Sequence, residues 1–236
     1  MEIKTAIAKT TRYAMEFNGD TCDIAERPQG GISLILADGQ GHGLPAHHTS
    51  GLVVNRAVSL ISDGTRDGAV ARAVHDYLYA AKDKKVSCTL TVISADMDTE
   101  TVVMSRNSNC PVIVKTDDYT CVYDENVNPI GVHHHTKPLI YELPLSPGMV
   151  IVSYTDGISS AGRKVNSQKA DFKKIMDIIK NNPPEDVSFI VNSIMDYALQ
   201  LDNNKAGDDM TVIAMGICEK DSTPVKIHRV TASFPF

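Results

Sequence analysis

Four short acidic turns, each beside an apolar run, hold the residues of this chain best suited to chemistry. Asp20 lies in Asn18-Gly19-Asp20. Asp38 ends the run Ile32-Ser33-Leu34-Ile35-Leu36-Ala37 and opens a glycine-rich turn, Asp38-Gly39-Gln40-Gly41-His42-Gly43. Asp156 follows Val150-Ile151-Val152-Ser153-Tyr154-Thr155, and Asp208 and Asp209 precede Met210-Thr211-Val212-Ile213. Singly, each is ordinary turn chemistry. Together they suggest a site for a hard cation, because Mg²⁺ and Mn²⁺ want oxygen ligands in near-octahedral array and retain several waters. Carboxylates converging from adjacent strand ends would repel and raise one another's pKa values unless cations neutralised them. Two divalent ions roughly 3.5–4 Å apart acidify a bridging water and clamp the oxygens of a phosphoryl group. The chemistry this points to is in-line attack of hydroxide on a phosphate ester, with no protein nucleophile. The glycines after Asp38 let the backbone come close and let the Gly39 carbonyl serve as a ligand.

The elements that must bring these residues together are read from hydrophobic period. Tyr13 to Phe17 reads as a first strand, and Gly31 to Ala37 as a strand buried on both faces. Pro45 to Ser62 is helical and stops at Asp63-Gly64, and Asp67 to Lys82 gives a second helix. A β stretch follows: Val86 to Ala95, Thr101 to Ser105, Pro111 to Lys115, Cys121 to Tyr123, Leu139 to Leu143 and Met149 to Tyr154. Helices are expected over Lys169 to Asn181 and Pro184 to Leu201, then strands over Met210 to Cys218 and Val225 to Phe236. Antiparallel-type runs with helices in pairs read as α+β. Two antiparallel sheets packed face to face, each covered by a helix pair, would use every element.

Length and composition set outer bounds. The chain has 236 residues and suits one domain, 1–236, with a full core. A net charge of -6 argues against a nucleic-acid partner, which usually selects a basic surplus. No apolar run reaches the ~20 residues of a membrane span, and Met1-Glu2-Ile3-Lys4-Thr5 is unlike a signal peptide, so no membrane role is expected. Five scattered cysteines without a paired spacing fit a reduced, cytoplasmic protein.

The acidic blocks carry a resemblance. Asp38-Gly39-Gln40-Gly41-His42-Gly43, Tyr154-Thr155-Asp156-Gly157 and Gly207-Asp208-Asp209-Met210-Thr211 resemble the signature blocks of the PPM metal-dependent Ser/Thr protein phosphatases, in particular the bacterial SpoIIE-like branch. Asn18-Gly19-Asp20 matches the first acidic block, and Asn107-Ser108-Asn109-Cys110-Pro111 resembles the branch's Asn-Ala-Gly-His-Pro turn with substitutions. The match runs from about Gly19 to Met215. The resemblance implies a four-layer αββα sandwich and two Mn²⁺ or Mg²⁺ ions. It implies that Asp38 bridges both ions, that Asp20 and the Gly39 carbonyl complete one site, and that Asp156 and Asp208 complete the other. Asp38, Asp156 and Asp208 would thus be the catalytic carboxylates. Asp209, where many relatives carry Asn, would support its neighbour.

The chain also departs from the family. Eukaryotic members carry His after Asp-Gly, often proposed as the general acid; here the position is Gln40, which cannot donate a proton at neutral pH. His42 is read as turn structure, Cys110 as a packing substitution, and Arg27 as the one weak candidate to hold phosphate. His133-His134-His135 reads as a solvated turn, because adjacent residues cannot all face one ion. His47-His48 diverge on a helix and read as satisfied histidines. Lys82 to Lys85 and Lys173-Lys174 read as solvated helix ends. Ser153 and Thr155 lack the spacing of a nucleophilic triad.

The expected function is dephosphorylation of phosphoserine or phosphothreonine on a bacterial signalling protein, by attack of a metal-bridging hydroxide. The compact layout resembles stand-alone RsbX-type feedback phosphatases, which implies a STAS-domain stressosome or anti-anti-sigma component as the phosphorylated partner. The alternatives are a phosphoprotein-binding module without turnover and a phosphatase of small phosphate esters.

Overall fold

The structure is a computed structural model that describes residues 1–167, 169–220 and 227–234. Its strands are β1 (Glu2–Thr10), β2 (Asp20–Glu26), β3 (Gly31–Gly39), β4 (Cys88–Asp96), β5 (Thr101–Asn107), β6 (Val112–Lys115), β7 (Thr120–Tyr123), β8 (Leu139–Pro144), β9 (Val150–Tyr154) and β10 (Met210–Cys218). The helices are α1 (Gly43–Ser62), α2 (Asp67–Ala81), α3 (Asp156–Ser160), α4 (Arg163–Asn166), α5 (Phe172–Lys180) and α6 (Val187–Leu201), with a 3₁₀ turn at Pro184–Asp186.

Two five-stranded sheets result, ordered β1-β10-β9-β6-β7 and β2-β3-β4-β5-β8. Every pairing between neighbouring strands within each sheet is antiparallel. The alternation of strand side chains explains the layering. On β3, Leu34 and Leu36 point between the sheets, where they meet Ile93, Met104, Ile151 and Ile213. Ile35 and Ala37 point the other way, onto Val53, Ala57, Ile61, Val74 and Leu78 of α1 and α2. On the opposite sheet Val150, Val152, Val212 and Ala214 face Ile175 of α5 and Ile190 and Ile194 of α6. Central strands are therefore apolar on both faces, and the four layers run helix pair, sheet, sheet, helix pair. This is the α+β, αββα sandwich expected.

Several local readings need correction. Tyr13 to Phe17 is a turn rather than a strand, with Ala14 at φ 63°. The first strand is Glu2–Thr10, paired along its whole length with β10. The strand Asp20–Glu26 was not anticipated either. Both lie at sheet edges and are only half buried, so their sequences carry polar residues that blunt the alternation. The short helices α3 and α4 were also unread. Of the strand expected over Val225 to Phe236, residues 227–234 carry none, and the remainder lies outside the described residues. Among the described residues no helix is long and apolar enough to cross a membrane.

Candidate active site

The cleft is built at one end of the sandwich, where the two sheets meet. Asp20, the first residue of β2, stands opposite Asp38 near the end of β3. Asp20 is almost fully buried, and its Oδ2 accepts hydroxyl hydrogen bonds from Thr155 (2.8 Å) and Thr211 (2.7 Å) of the other sheet. Its own N–H donates to Asn18 Oδ1 at 2.8 Å, and Asn18 in turn donates to the Thr10 carbonyl at 2.9 Å. Asp20 is thus a cross-link between sheets as well as a cleft residue. Burial pushes its carboxyl up to about 6, against the pull of the two hydroxyls.

Asp38 is pushed further, to about 8. Burial is the largest cause, followed by the charges of Asp20, Asp156, Asp208 and Asp209. Gly39 passes beneath α1: its N–H donates to the Gly19 carbonyl at 3.2 Å, and a Cβ there would run into the backbone carbonyl of Ala46. Asp156 opens α3 directly after β9, and burial, then Asp208, raises its pKa. Asp208 lies in the turn before β10. Asp209 beside it is committed elsewhere: Oδ1 accepts from the Arg12 N–H (2.9 Å) and Oδ2 from the Gly19 N–H (2.8 Å). It fastens the segment leading to Asp20.

These five aspartates, with Gly39, Gln40, Gly41, Ser87, Cys88, Thr89 and Pro129, line a cleft of about 240 Å³. No Lys, Arg or His is among the lining residues. An anion could not be held there by protein charge alone, whereas divalent cations would relieve the repulsion that raises Asp38. Among the described residues no three His, Cys, Asp or Glu side chains close on a single point. Mg²⁺ does not need such a cage; one or two carboxylates, a backbone carbonyl and waters suffice. The donor set therefore fits hard divalent ions.

Other sequence candidates fall in varied places. The Gln40 amide oxygen accepts from the Ser87 N–H (2.8 Å) and hydroxyl (3.1 Å), so Gln40 braces the turn. His42 is exposed in the turn before α1, and His47 Nδ1 meets the Asn18 carbonyl at 2.9 Å. Cys110 lies toward the acidic cleft, and burial pushes its thiol up to about 12, which leaves it an inert packing group. The three residues His133 to His135 are exposed in a turn. Arg27 is not at the site. It lies beyond the far end of β2 from Asp20, buried in an ion-pair network with Asp67 (3.3 Å) and Asp96 (3.0 Å).

One residue escaped the sequence reading. Asp202, just past α6, is nearly fully buried and accepts from the Gly162 N–H and the Gly207 N–H, both at 2.7 Å. It ties the turn after α3 to the loop carrying Asp208. An acidic residue at a helix end carries no signal of this, because both partners are backbone groups, which have no residue-type signature, and Gly162 lies 40 positions away.

Comparison with known proteins agrees with this geometry. No curated protein matches the chain in sequence. Among solved structures, the phosphatase domain of SpoIIE from Bacillus subtilis with a fragment of its regulatory domain superposes with a TM-score of 0.75 at 18% identity, over 94% of this chain and 64% of that one. The chain thus spans less than two thirds of that relative. RsbX in complex with magnesium superposes with a TM-score of 0.71 at 14% identity, over 90% of this chain and 94% of the other. The SiaA-PP2C domain of Pseudomonas aeruginosa gives 0.76 at 15% identity, over 90% and 85%. These likenesses are of fold. A sequence profile described as Stage II sporulation protein E (SpoIIE) matches residues 28–217. The chain therefore belongs to the SpoIIE family.

Proposed function

We propose that this chain, as a single cytoplasmic domain spanning 1–236, removes phosphate from phosphoserine or phosphothreonine on a signalling protein. The carrying observation is the gathering of five aspartates in one cleft without a cationic side chain, at the cost of an Asp38 carboxyl raised to about 8. Asp20, Asp38, the Gly39 carbonyl, Asp156 and Asp208 would hold two Mn²⁺ or Mg²⁺ ions. When bound, such ions acidify a water for attack and neutralise charge on the phosphoryl oxygens.

The chain's own residues supply position. Thr155 and Thr211 occupy Oδ2 of Asp20 and leave Oδ1 for a cation. Asp38 stands across from Asp20 in the ladder, and Asp156 and Asp208 approach from the other sheet, an arrangement in which these carboxylates would hold the ions between them. Asp209 fixes the backbone at Gly19, next to Asp20. Gln40, held by Ser87, gives no proton, so the leaving alkoxide would take its proton from water or from another side chain. The kinship with RsbX-type folds favours a STAS-domain component of a stressosome or an anti-anti-sigma system as substrate.

The test is hydrolysis of an aryl phosphate and of a phosphoserine peptide with Mn²⁺, Mg²⁺ or EDTA, beside Asp38→Asn. Activity that requires a divalent ion and disappears in the variant is expected. Turnover that survives both EDTA and the substitution would refute the reading.

A further inference from the structure

A second cavity opens beside the acidic cleft. It measures about 580 Å³, within the range of sites that hold small ligands or a few side chains. Gln40 and Gly41 line both cavities, so one runs directly into the other. Their chemistry is opposite. The cleft is walled by aspartates, whereas the groove is lined by the charged Lys82 and Lys85 and by the apolar Leu44, Pro45 and Val86. Leu44 is 44% exposed at the start of α1, unusual for a leucine in a chain with a well-filled core. Lys82 and Lys85 follow the end of α2, and among the described residues no carboxylate lies within ion-pair distance of either. In a protein of net charge -6, these two ammonium groups are a local reversal of sign.

We propose that this groove is the specificity subsite for the phosphoprotein segment flanking the phosphorylated residue, and that it selects a segment with acidic side chains and one apolar side chain. The inference rests on the phosphatase reading of the adjoining cleft. A phosphoserine seated over Asp38 must carry its chain across Gln40 and Gly41, whose positions are fixed by the Gln40–Ser87 hydrogen bonds. The neighbouring residues then fall into the groove. There the lysines meet carboxylates, and Leu44, Pro45 and Val86 bury an aliphatic group. Charge at such a surface mainly sets partner choice and association rate. A small aryl phosphate has nothing to place there.

The experiment uses the full chain and two phosphoserine peptides. One carries glutamates and a leucine within four residues on both sides of the phosphoserine; in the other, lysines replace the glutamates. Binding is read by fluorescence anisotropy, and turnover is read relative to aryl phosphate. For the acidic peptide, K82E/K85E is expected to weaken binding about tenfold and to lower the peptide-to-aryl-phosphate ratio of kcat/KM similarly, mostly through KM. The variant should prefer the lysine peptide. Equal treatment of both peptides by the wild-type and variant proteins would overturn the groove assignment. If wild-type protein hydrolyses nothing with any cation, the phosphatase reading fails, while anisotropy still decides whether the groove selects acidic segments.

Discussion

Asp20 and Asp38 are register partners on adjacent antiparallel strands, yet they sit in opposite electrostatic circumstances. Burial raises both carboxyls, but two threonine hydroxyls oppose the rise at Asp20 and limit it to about 6, whereas Asp38, with four neighbouring aspartates, is pushed to about 8. The same strand pair thus contains one carboxylate with an oxygen already held by two hydroxyls and one whose charge is opposed by four others.

The first expectation concerns pH and metal together. Without cations, the folded chain keeps a proton on Asp38 up to about pH 8, while the unfolded chain releases it near its ordinary 3.8. Stability from this group is therefore fully present below pH 4 and is lost as pH rises toward 8. Asp156, also raised, adds in the same direction. Urea midpoints in EDTA should fall between about pH 5 and about pH 8, and Mn²⁺ should restore the midpoint at the higher pH. A midpoint insensitive to pH in EDTA would contradict the electrostatic account.

Asp38→Asn should separate stability from function. The amide removes the repulsion and should leave the EDTA-treated protein at least as stable as the parent at about pH 8. Metal-dependent turnover should fall ~100-fold or more, since even outer partners of metal ligands cost ~10–100-fold. Parallel urea titrations and aryl phosphate assays check both halves.

Thr155→Val tests the inter-sheet cross-link. The Thr155 hydroxyl donates to Asp20 and accepts from the Thr211 N–H at 3.0 Å, so valine breaks two buried hydrogen bonds at once. A loss of about 2–4 kcal/mol is expected by denaturant unfolding, because one bond involves a charged group and the other leaves an orphaned N–H. Thr211→Val removes one donor only and should cost about half as much.

Asp202→Ala strands the Gly162 and Gly207 N–H groups, both held at 2.7 Å in the native protein. About 2–4 kcal/mol of stability should be lost. Because Gly207 precedes Asp208, divalent-ion affinity measured by calorimetry should weaken as well, although Asp202 does not line the cleft. Unchanged affinity would show that the loop is held by other means.

Gly157→Ala places a methyl group against the backbone carbonyl of Asp209. The turn carrying Asp156 and the strand entry carrying Asp209 must then separate. Turnover should fall by about tenfold or more, with a folded protein by circular dichroism.

Much of this was legible in the sequence because central strands announce themselves. The runs before Asp38 and Asp156, and the run after Asp208, are apolar on both faces, so their ends could be located and their acidic residues grouped. Edge strands were less legible. Glu2–Thr10 and Asp20–Glu26 alternate only partly, since one side of each faces water, and the strand placed at Tyr13 was a turn. Arg27 was a weak candidate for its place between Asp20 and Asp38, and sequence alone could not show that Asp67 and Asp96 enclose it. Asp202 was invisible for a related reason: its partners are backbone amides, which leave no mark in the sequence, and Gly162 is brought near only by the finished fold. Acidic residues clustered by strand ends can be found by pattern, whereas those that brace loops cannot.

The pairing of β1 with β10 has a consequence for the birth of the protein. Residues of β1 wait for the later-made Met210–Cys218, which inserts between β1 and β9 and brings Thr211 and Asp209 to Asp20 and Gly19. Such contacts, separated by about 190 positions, close late and make for slow folding. A chain still emerging from the ribosome before β10 is complete therefore lacks its inter-sheet cross-link. Assembly itself is a timing device, since the acidic cleft is complete only once β10 has closed the sandwich.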